Sequence, residues 1–265
     1  MTGAPYVHLA GAHLDTAAAF GVAEELAEQA AGHPLELVGR YVVPPVDGAP
    51  TRPFQTLHVD FGLPLAPARP ADVATWTALH VPLDAATEGA TTRLVPLTEL
   101  LAQRPWPTRR ELVRRLERYG RTHGAWDDAD GYTEGSVARL VEAAAGGVPL
   151  LPSVKDHPDF RCGLEFDDEE AEVRHLAALG LDLDAVAVDL RLAPGDLLVF
   201  DNHAVGHGRR GRRLPGELHQ RFFGVRAAGV EEQLRMRDRL LDRFPSPGSV
   251  AARVEGASLA QQRTA

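Results

Sequence analysis

The sequence predicts a mainly β protein with flanking helices, built on a double-stranded β-helix (a jelly-roll, cupin-like core) with a helical insertion. Strand patterns gather at the two ends of the chain, and helical patterns fill the middle. This order suits a double sheet in which N-terminal and C-terminal strands meet. A parallel α/β fold would need a regular alternation of strands and helices, which the sequence does not have.

Individual elements follow from local patterns. The N-terminal part predicts a helix over Thr16–Ala31 with Asp15 as its N-cap, and then strands over 35–43, 54–61, 75–83 and 92–96. The middle predicts a helix opened by a capping box of Thr108 and Glu111, and further helices over 132–145 and 167–179, the last capped by Asp167. The C-terminal part predicts strands over 186–192, 197–200, 204–208 and 218–225, and a closing helix over 230–244. A turn at residues 193–196 and a hairpin loop between the last two strands separate these elements.

Length and composition bound the classes of protein. The 265 residues, 44% of them apolar, suit one domain over 1–265, with an insertion at about 98–180 and a loose tail at about 245–265. A net charge of −9 argues against binding to nucleic acid or anionic lipid. Cys162 is the only cysteine, so neither an internal disulfide nor a thiol zinc site is expected. Without a signal sequence or a run of ~18 apolar residues, the expected location is the cytoplasm.

Two segments carry the chemistry. His58 and Asp60 lie two residues apart in a predicted strand, so their side chains point the same way. His207 lies on a predicted strand after the Gly195-Asp196 turn, and Arg221 follows it by 14 residues. A hairpin of that length would return Arg221 beside His207, where its guanidinium could hold a carboxylate through two hydrogen bonds. Two histidines and one carboxylate are the ligand set of non-haem iron(II) oxygenases.

These features resemble the clavaminate synthase-like branch of the taurine dioxygenase superfamily. The matching segments are HVD at 58–60, the Gly-Asp turn followed by LLVFDN, HGR at 207–209, and the spacing to Arg221. The resemblance covers residues 54–225 and implies iron(II) ligands at His58, Asp60 and His207. It also implies that Arg221 binds the far carboxylate of 2-oxoglutarate. The family's second contact to that carboxylate matches Thr92, with Thr91 in reserve.

The resemblance implies an oxygenase that uses O2 and decarboxylates 2-oxoglutarate to succinate while it oxidises a small substrate. Hydroxylation of an unactivated C–H bond in an amino-acid-like or natural-product substrate is the default expectation. Related halogenases replace the carboxylate ligand with a small residue, whereas this chain keeps Asp60. We therefore expect oxidation without chlorination. The sequence leaves the substrate and the oligomeric state open.

Alternative assignments exist for each role. A second HxD triplet at His157–Asp159 precedes His207 by 48 residues, but Pro158 and charged neighbours suit a loop or a substrate lid. His203 is the reserve for His207. Arg221 could instead form a structural ion pair, in which case Arg209 would be the first substitute.

Two other classes of function also fit the predicted barrel. A cupin-like metal enzyme that does not use 2-oxoglutarate would not need Arg221. A non-catalytic binding or sensor barrel would tolerate the loss of the metal ligands, so the intact set of His58, Asp60 and His207 counts against it.

Overall fold

The computed structural model describes residues 5–31, 37–43, 54–60, 65, 71–85, 90–123, 133–146, 161–162, 166, 168–211 and 219–246. The strands are β1 (Tyr6–Leu9), β2 (Leu37–Val43), β3 (Phe54–Val59), β4 (Ala71–His80), β5 (Thr91–Pro96), β6 (Thr133–Ser136), β7 (Arg161–Cys162), β8 (Val188–Leu190), β9 (Leu197–Asp201), β10 (Val205–Arg210) and β11 (His219–Ala228). The helices are α1 (Thr16–Ala31), α2 (Leu97–Leu101), α3 (Arg109–His123), α4 (Val137–Ala145), α5 (Glu169–Ala178) and α6 (Val230–Leu241).

The strands form two sheets, as the sequence predicts. One sheet has five strands in the order β1-β9-β4-β11-β2, and the other has six in the order β7-β6-β3-β10-β5-β8. Every described pairing is antiparallel except the short β6–β7 pair. The predicted double-sheet core is therefore confirmed, as two facing sheets that do not close into a barrel.

The space between the sheets is apolar at one end. Alternate residues of each strand point inward, and those of both sheets meet in one buried cluster. Its members are Leu79, Val81, Leu94, Leu192, Leu198, Phe200, Ala204 and Val205. This cluster holds the sheets together and excludes water from the interior.

Helices cover the outer faces of both sheets. On the five-stranded sheet, α1 presents the small residues Ala19, Ala23 and Ala27 at a spacing of four, which lets the helix lie close to Trp76 and Phe222. On the six-stranded sheet, the other helices bury a larger apolar cluster around Trp106. Asp15 caps α1 as predicted, because its carboxylate accepts a hydrogen bond from the Ala18 N–H at 2.8 Å.

The predicted hairpin between the last two strands is wrong. β10 pairs with β3 and β5, whereas β11 pairs with β4 and β2 in the other sheet. The chain therefore crosses from one sheet to the other between residues 210 and 219. Arg221 approaches the site from the opposite wall and not from a neighbouring strand.

Two predicted helix starts also need correction. The segment 133–136 is strand β6, because it pairs with β3 at His58 and Val59, so α4 begins only at Val137. Helix α5 begins at Glu169, and Asp168 is its N-cap in place of Asp167, with its carboxylate accepting from the Ala171 N–H at 2.7 Å. The short elements β1, β7 and α2 were not predicted.

The predicted turn at residues 193–196 is confirmed, and it anchors β1. Gly195 has φ +84°, and a Cβ there would lie 2.6 Å from the Cα of His13, so only glycine fits without strain. The Asp196 carboxylate accepts hydrogen bonds from the Gly11 N–H at 2.7 Å and the Ala193 N–H at 2.9 Å.

Residues 247–265, which include most of the predicted tail, lie outside the described part. No helix within the described ranges combines the length and the apolar character needed to cross a membrane.

Candidate metal centre

Strand pairing brings the two predicted histidines together. His58 on β3 and His207 on β10 are direct partners across the antiparallel pair, and their ring centroids lie 4.2 Å apart. Asp60 follows the end of β3, two residues after His58. Register therefore places all three predicted ligands at one point on the inner face of the six-stranded sheet.

The three side chains can share one metal ion. Their candidate ligand atoms all lie within 4.8 Å of one another, and all three residues are buried. The Nε2 of His58 lies 3.9 Å from Oδ1 of Asp60, and the Nε2 of His207 lies 3.4 Å from Oδ2. Within the described part of the chain, no second group of three or more such residues has this geometry.

The protonation states suit metal binding. The Nδ1 of His58 donates to the backbone carbonyl of Thr56 at 2.8 Å, which orients the ring so that Nε2 faces Asp60. Burial lowers the pKa of His207 to about 4, so this ring is neutral near pH 7. Two imidazole nitrogens and one carboxylate oxygen are a donor set that suits iron(II).

Asp60 is ionised although it is completely buried. Burial alone would raise the pKa of its carboxyl group, but the neighbouring His207 and Arg221 outweigh this effect and hold the pKa well below its usual range. Nη1 of Arg221 lies 3.1 Å from Oδ1, and the hydroxyl of Thr77 donates to Oδ2 at 2.8 Å. Both of these partners stand on the five-stranded sheet.

Thr92 lies on the inner face of the six-stranded sheet. It is two residues from Leu94, the direct partner of His207 on β5, so its side chain shares the inner face with that histidine. Thr91, the reserve residue, points to the other face of the sheet.

The two arginines after His207 face in opposite directions. Arg209 is the β10 partner of Thr92 and therefore shares the inner face. Arg210 lies on the outer face, where it forms ion pairs with Glu169 and Asp189. Of this pair, only Arg209 lies on the same face as Thr92.

Of the alternative metal ligands, the structure describes only His203. His203 lies in the turn before β10 beside Asp201, and burial lowers its pKa to about 4, but it is not part of the metal group. His157 and Asp159 lie outside the described residues.

Sequence reasoning missed three residues that support the ligands. Thr77 holds the Asp60 carboxylate, and the side-chain amide of Asn202 hydrogen-bonds the Asp60 backbone at both its N–H and its C=O. The third is Glu172 on α5, whose carboxylate accepts from the Leu57 N–H at 2.9 Å and so fixes β3 next to His58. Asn202 is the last residue of the LLVFDN segment that carries part of the family resemblance, whereas no local sequence pattern marks Thr77 or Glu172.

A family comparison agrees with this geometry. The model of the family described as taurine catabolism dioxygenase TauD, TfdA family matches residues 20–223. The chain belongs to the TauD/TfdA family. The match includes the three candidate iron ligands and Arg221, although it does not single out the clavaminate synthase-like branch.

Solved structures similar to this TauD/TfdA-family chain have low identity to it. An asparagine oxygenase in complex with Fe(II), 3-hydroxyasparagine and succinate is 19% identical with a TM-score of 0.30, over 69% of this chain and 56% of that chain. PvcB from Pseudomonas aeruginosa is 17% identical with a TM-score of 0.41, over 84% and 76%. A taurine dioxygenase from Burkholderia xenovorans is 15% identical with a TM-score of 0.39, over 86% and 79%. No curated protein matches the chain.

The buried carboxylate of Glu172 generates a pH-dependent prediction. Burial raises its pKa from 4.5 to about 7, so between these values the folded state binds more protons than the unfolded state. Stability from this group is complete below about pH 4.5 and is lost as the pH rises through 7. We expect Glu172→Gln, which keeps an acceptor for the Leu57 N–H, to increase the free energy of unfolding at pH 8 by up to about 3 kcal/mol.

Denaturant unfolding at pH 4.5 and pH 8 measures this difference. Glu172→Gln and the wild type should have nearly the same stability at pH 4.5. Glu170→Gln is the control, because Glu170 lies on the same helix with its side chain 81% exposed. An equal gain at both pH values would show that the charge of Glu172 is not the cause.

Proposed function

We propose that this chain is an iron(II)- and 2-oxoglutarate-dependent oxygenase that oxidises a C–H bond of a small amino-acid-like or natural-product substrate. One observation carries the proposal: a buried His58, Asp60 and His207 group lies within reach of Arg221 on the opposite sheet. The first three would hold the iron on one face, which leaves its other face for 2-oxoglutarate and oxygen. When bound, the iron would couple decarboxylation of 2-oxoglutarate to oxidation of the substrate.

Charge balance supports 2-oxoglutarate as the partner of this site. Asp60 and Arg221 form an ion pair, so the charge of a bound iron(II) would not be offset by Asp60 alone. The two carboxylates of 2-oxoglutarate would supply negative charge to a site that also has Arg221 and Arg209 on its walls.

The side chains of the interior then have separate tasks. Arg221 and Thr92 would bind the far carboxylate of 2-oxoglutarate and orient it toward the metal ligands. The apolar cluster around Phe200, whose ring centroid lies 4.8 Å from that of His207, excludes water behind the site. Arg209 on the same inner face would meet an acidic group of the substrate.

The proposal also covers domain organisation, cellular location and binding partners. We expect a single domain with its insertion at about 98–180, a small-molecule substrate, a cytoplasmic location, and no nucleic-acid or membrane partner. The net charge of −9 and the single cysteine support this environment.

A substrate screen tests the reaction. Iron-loaded protein supplied with 2-oxoglutarate, oxygen and a panel of amino-acid-like compounds should form succinate, and the responding compound should gain the mass of one oxygen atom or lose two hydrogens. Turnover should require added iron(II) and continue without chlorination when chloride is present. Succinate formation that is independent of iron would contradict the proposal.

Arg221 distinguishes this proposal from a metal enzyme that does not use 2-oxoglutarate. The ion pair between Arg221 and Asp60 is compatible with a purely structural role. Replacing Arg221 therefore distinguishes this role from binding of 2-oxoglutarate. We expect Arg221→Ala to weaken 2-oxoglutarate binding by about 2–5 kcal/mol, roughly 30-fold or more, because one buried carboxylate loses its charged partner.

Calorimetric titration of the metal-loaded variants measures this loss. Arg210→Ala is the control, because it removes a nearby arginine whose ion pairs lie on the outer face. The control should bind 2-oxoglutarate like the wild type. Unchanged affinity in Arg221→Ala would assign Arg221 to the structural ion pair and move the anchor to another residue, with Arg209 the first to test.

A further inference from the structure

Asp60 is held in place by a side chain and not by its strand. β3 ends at Val59, so Asp60 lies beyond the last strand pair. The amide of Asn202 takes over this role. Its Oδ1 accepts from the Asp60 N–H at 2.9 Å, and its Nδ2 donates to the Asp60 carbonyl at 2.7 Å. One amide thus binds both backbone groups of the ligand residue, as a neighbouring strand would.

Asn202 is itself fixed on three sides. Its Nδ2 also donates to the Ala74 carbonyl at 3.0 Å, and its backbone N–H donates to the Thr75 carbonyl at 3.1 Å. The residue is completely buried, and the oxygen and both hydrogens of its amide are engaged. Asn202 contacts both β4 and the Asp60 backbone, and it lies five residues before His207 in the chain. It therefore links these two segments to the start of the strand that carries His207.

Thr77 completes the restraint at the other end of Asp60. Its hydroxyl donates to Oδ2 at 2.8 Å, and Thr77 is completely buried on β4. With the backbone held by Asn202 and one oxygen held by Thr77, the carboxylate has little freedom to rotate. Residues that orient ligands in this way commonly change metal affinity when they are replaced.

We propose that Asn202 and Thr77 are positioning residues for the metal centre, and that neither touches the metal. Asn202 sets where Asp60 stands relative to His207. Thr77 donates to Oδ2 while Arg221 donates to Oδ1, so these two contacts together set the orientation of the carboxylate. The inference rests on the proposed function for the identity of the metal and extends it to residues outside the ligand set.

The test uses Thr77→Val, which keeps the shape of the side chain and removes the donor. Thr77→Ser restores the hydroxyl. Thr75→Val is the control, because Thr75 lies two residues away on the same strand and its hydroxyl donates to the Gly224 carbonyl at 2.9 Å, away from Asp60. Cobalt(II) added to the metal-free proteins is the probe, since its visible absorption reports the coordination around the ion.

We expect Thr77→Val to bind cobalt(II) about 10-fold more weakly than the wild type and to show an altered absorption spectrum. Thr77→Ser and Thr75→Val should match the wild type in both respects. Thr77→Val should also lower the melting temperature more than Thr75→Val, because the Thr77 hydroxyl contacts a buried carboxylate whereas the Thr75 hydroxyl is only partly buried. A structural effect alone would change the melting temperature but not the spectrum.

Asn202→Asp gives a second measurement, because it replaces the Nδ2 donor by an oxygen that would face two carbonyls. It should weaken cobalt(II) binding at least as much as Thr77→Val. Wild-type affinity and spectrum in Thr77→Val would overturn the inference, as would the same change in Thr75→Val. A wild-type protein that binds no metal would instead overturn the proposed function, and this inference with it.

Discussion

The buried charge of Asp60 is the constraint around which the site is built. An ionised carboxylate with no exposed surface is stable only when charged and hydrogen-bonding partners replace water. Arg221 and Thr77 supply these contacts to the two oxygens, and Asn202 holds the backbone. The imidazoles of His58 and His207 add nitrogen donor atoms beside the carboxylate. Because Arg221 already forms an ion pair with Asp60, a bound metal ion would add positive charge that Asp60 alone does not offset.

This arrangement exists only when the two sheets face each other. His58, Asp60 and His207 come from the six-stranded sheet, whereas Thr77 and Arg221 come from the five-stranded sheet. Arg221 is 161 residues from Asp60 in the chain, and Asn202 is 142 residues away. The apolar cluster between the sheets therefore stabilises the fold and also sets the distances within the site. Substitutions that separate the sheets should affect metal binding without touching a ligand.

The sequence predicted the parts of the site that have a local signature. The i, i+2 spacing of His58 and Asp60 on a strand, and the turn before His207, are visible in a single sequence, and so was the double-sheet core. Sheet partners are not visible in the same way, because pairing depends on distant residues. The predicted hairpin is wrong for that reason. The predicted helix start at residue 132 is wrong as well, because the segment 133–136 pairs with β3 and forms strand β6. Thr77 and Glu172 were missed because a buried threonine and a helical glutamate have no sequence pattern that distinguishes them from their neighbours.

Anaerobic visible absorption of the iron(II)-loaded wild type during titration with 2-oxoglutarate tests the central claim most directly, because it needs no substrate. Chelation of iron(II) by the 2-oxo acid produces a charge-transfer band that neither component shows alone. We predict a band that grows and saturates as 2-oxoglutarate is added, and that is absent without iron. Protein that holds iron(II) but develops no band at saturating 2-oxoglutarate would contradict the account.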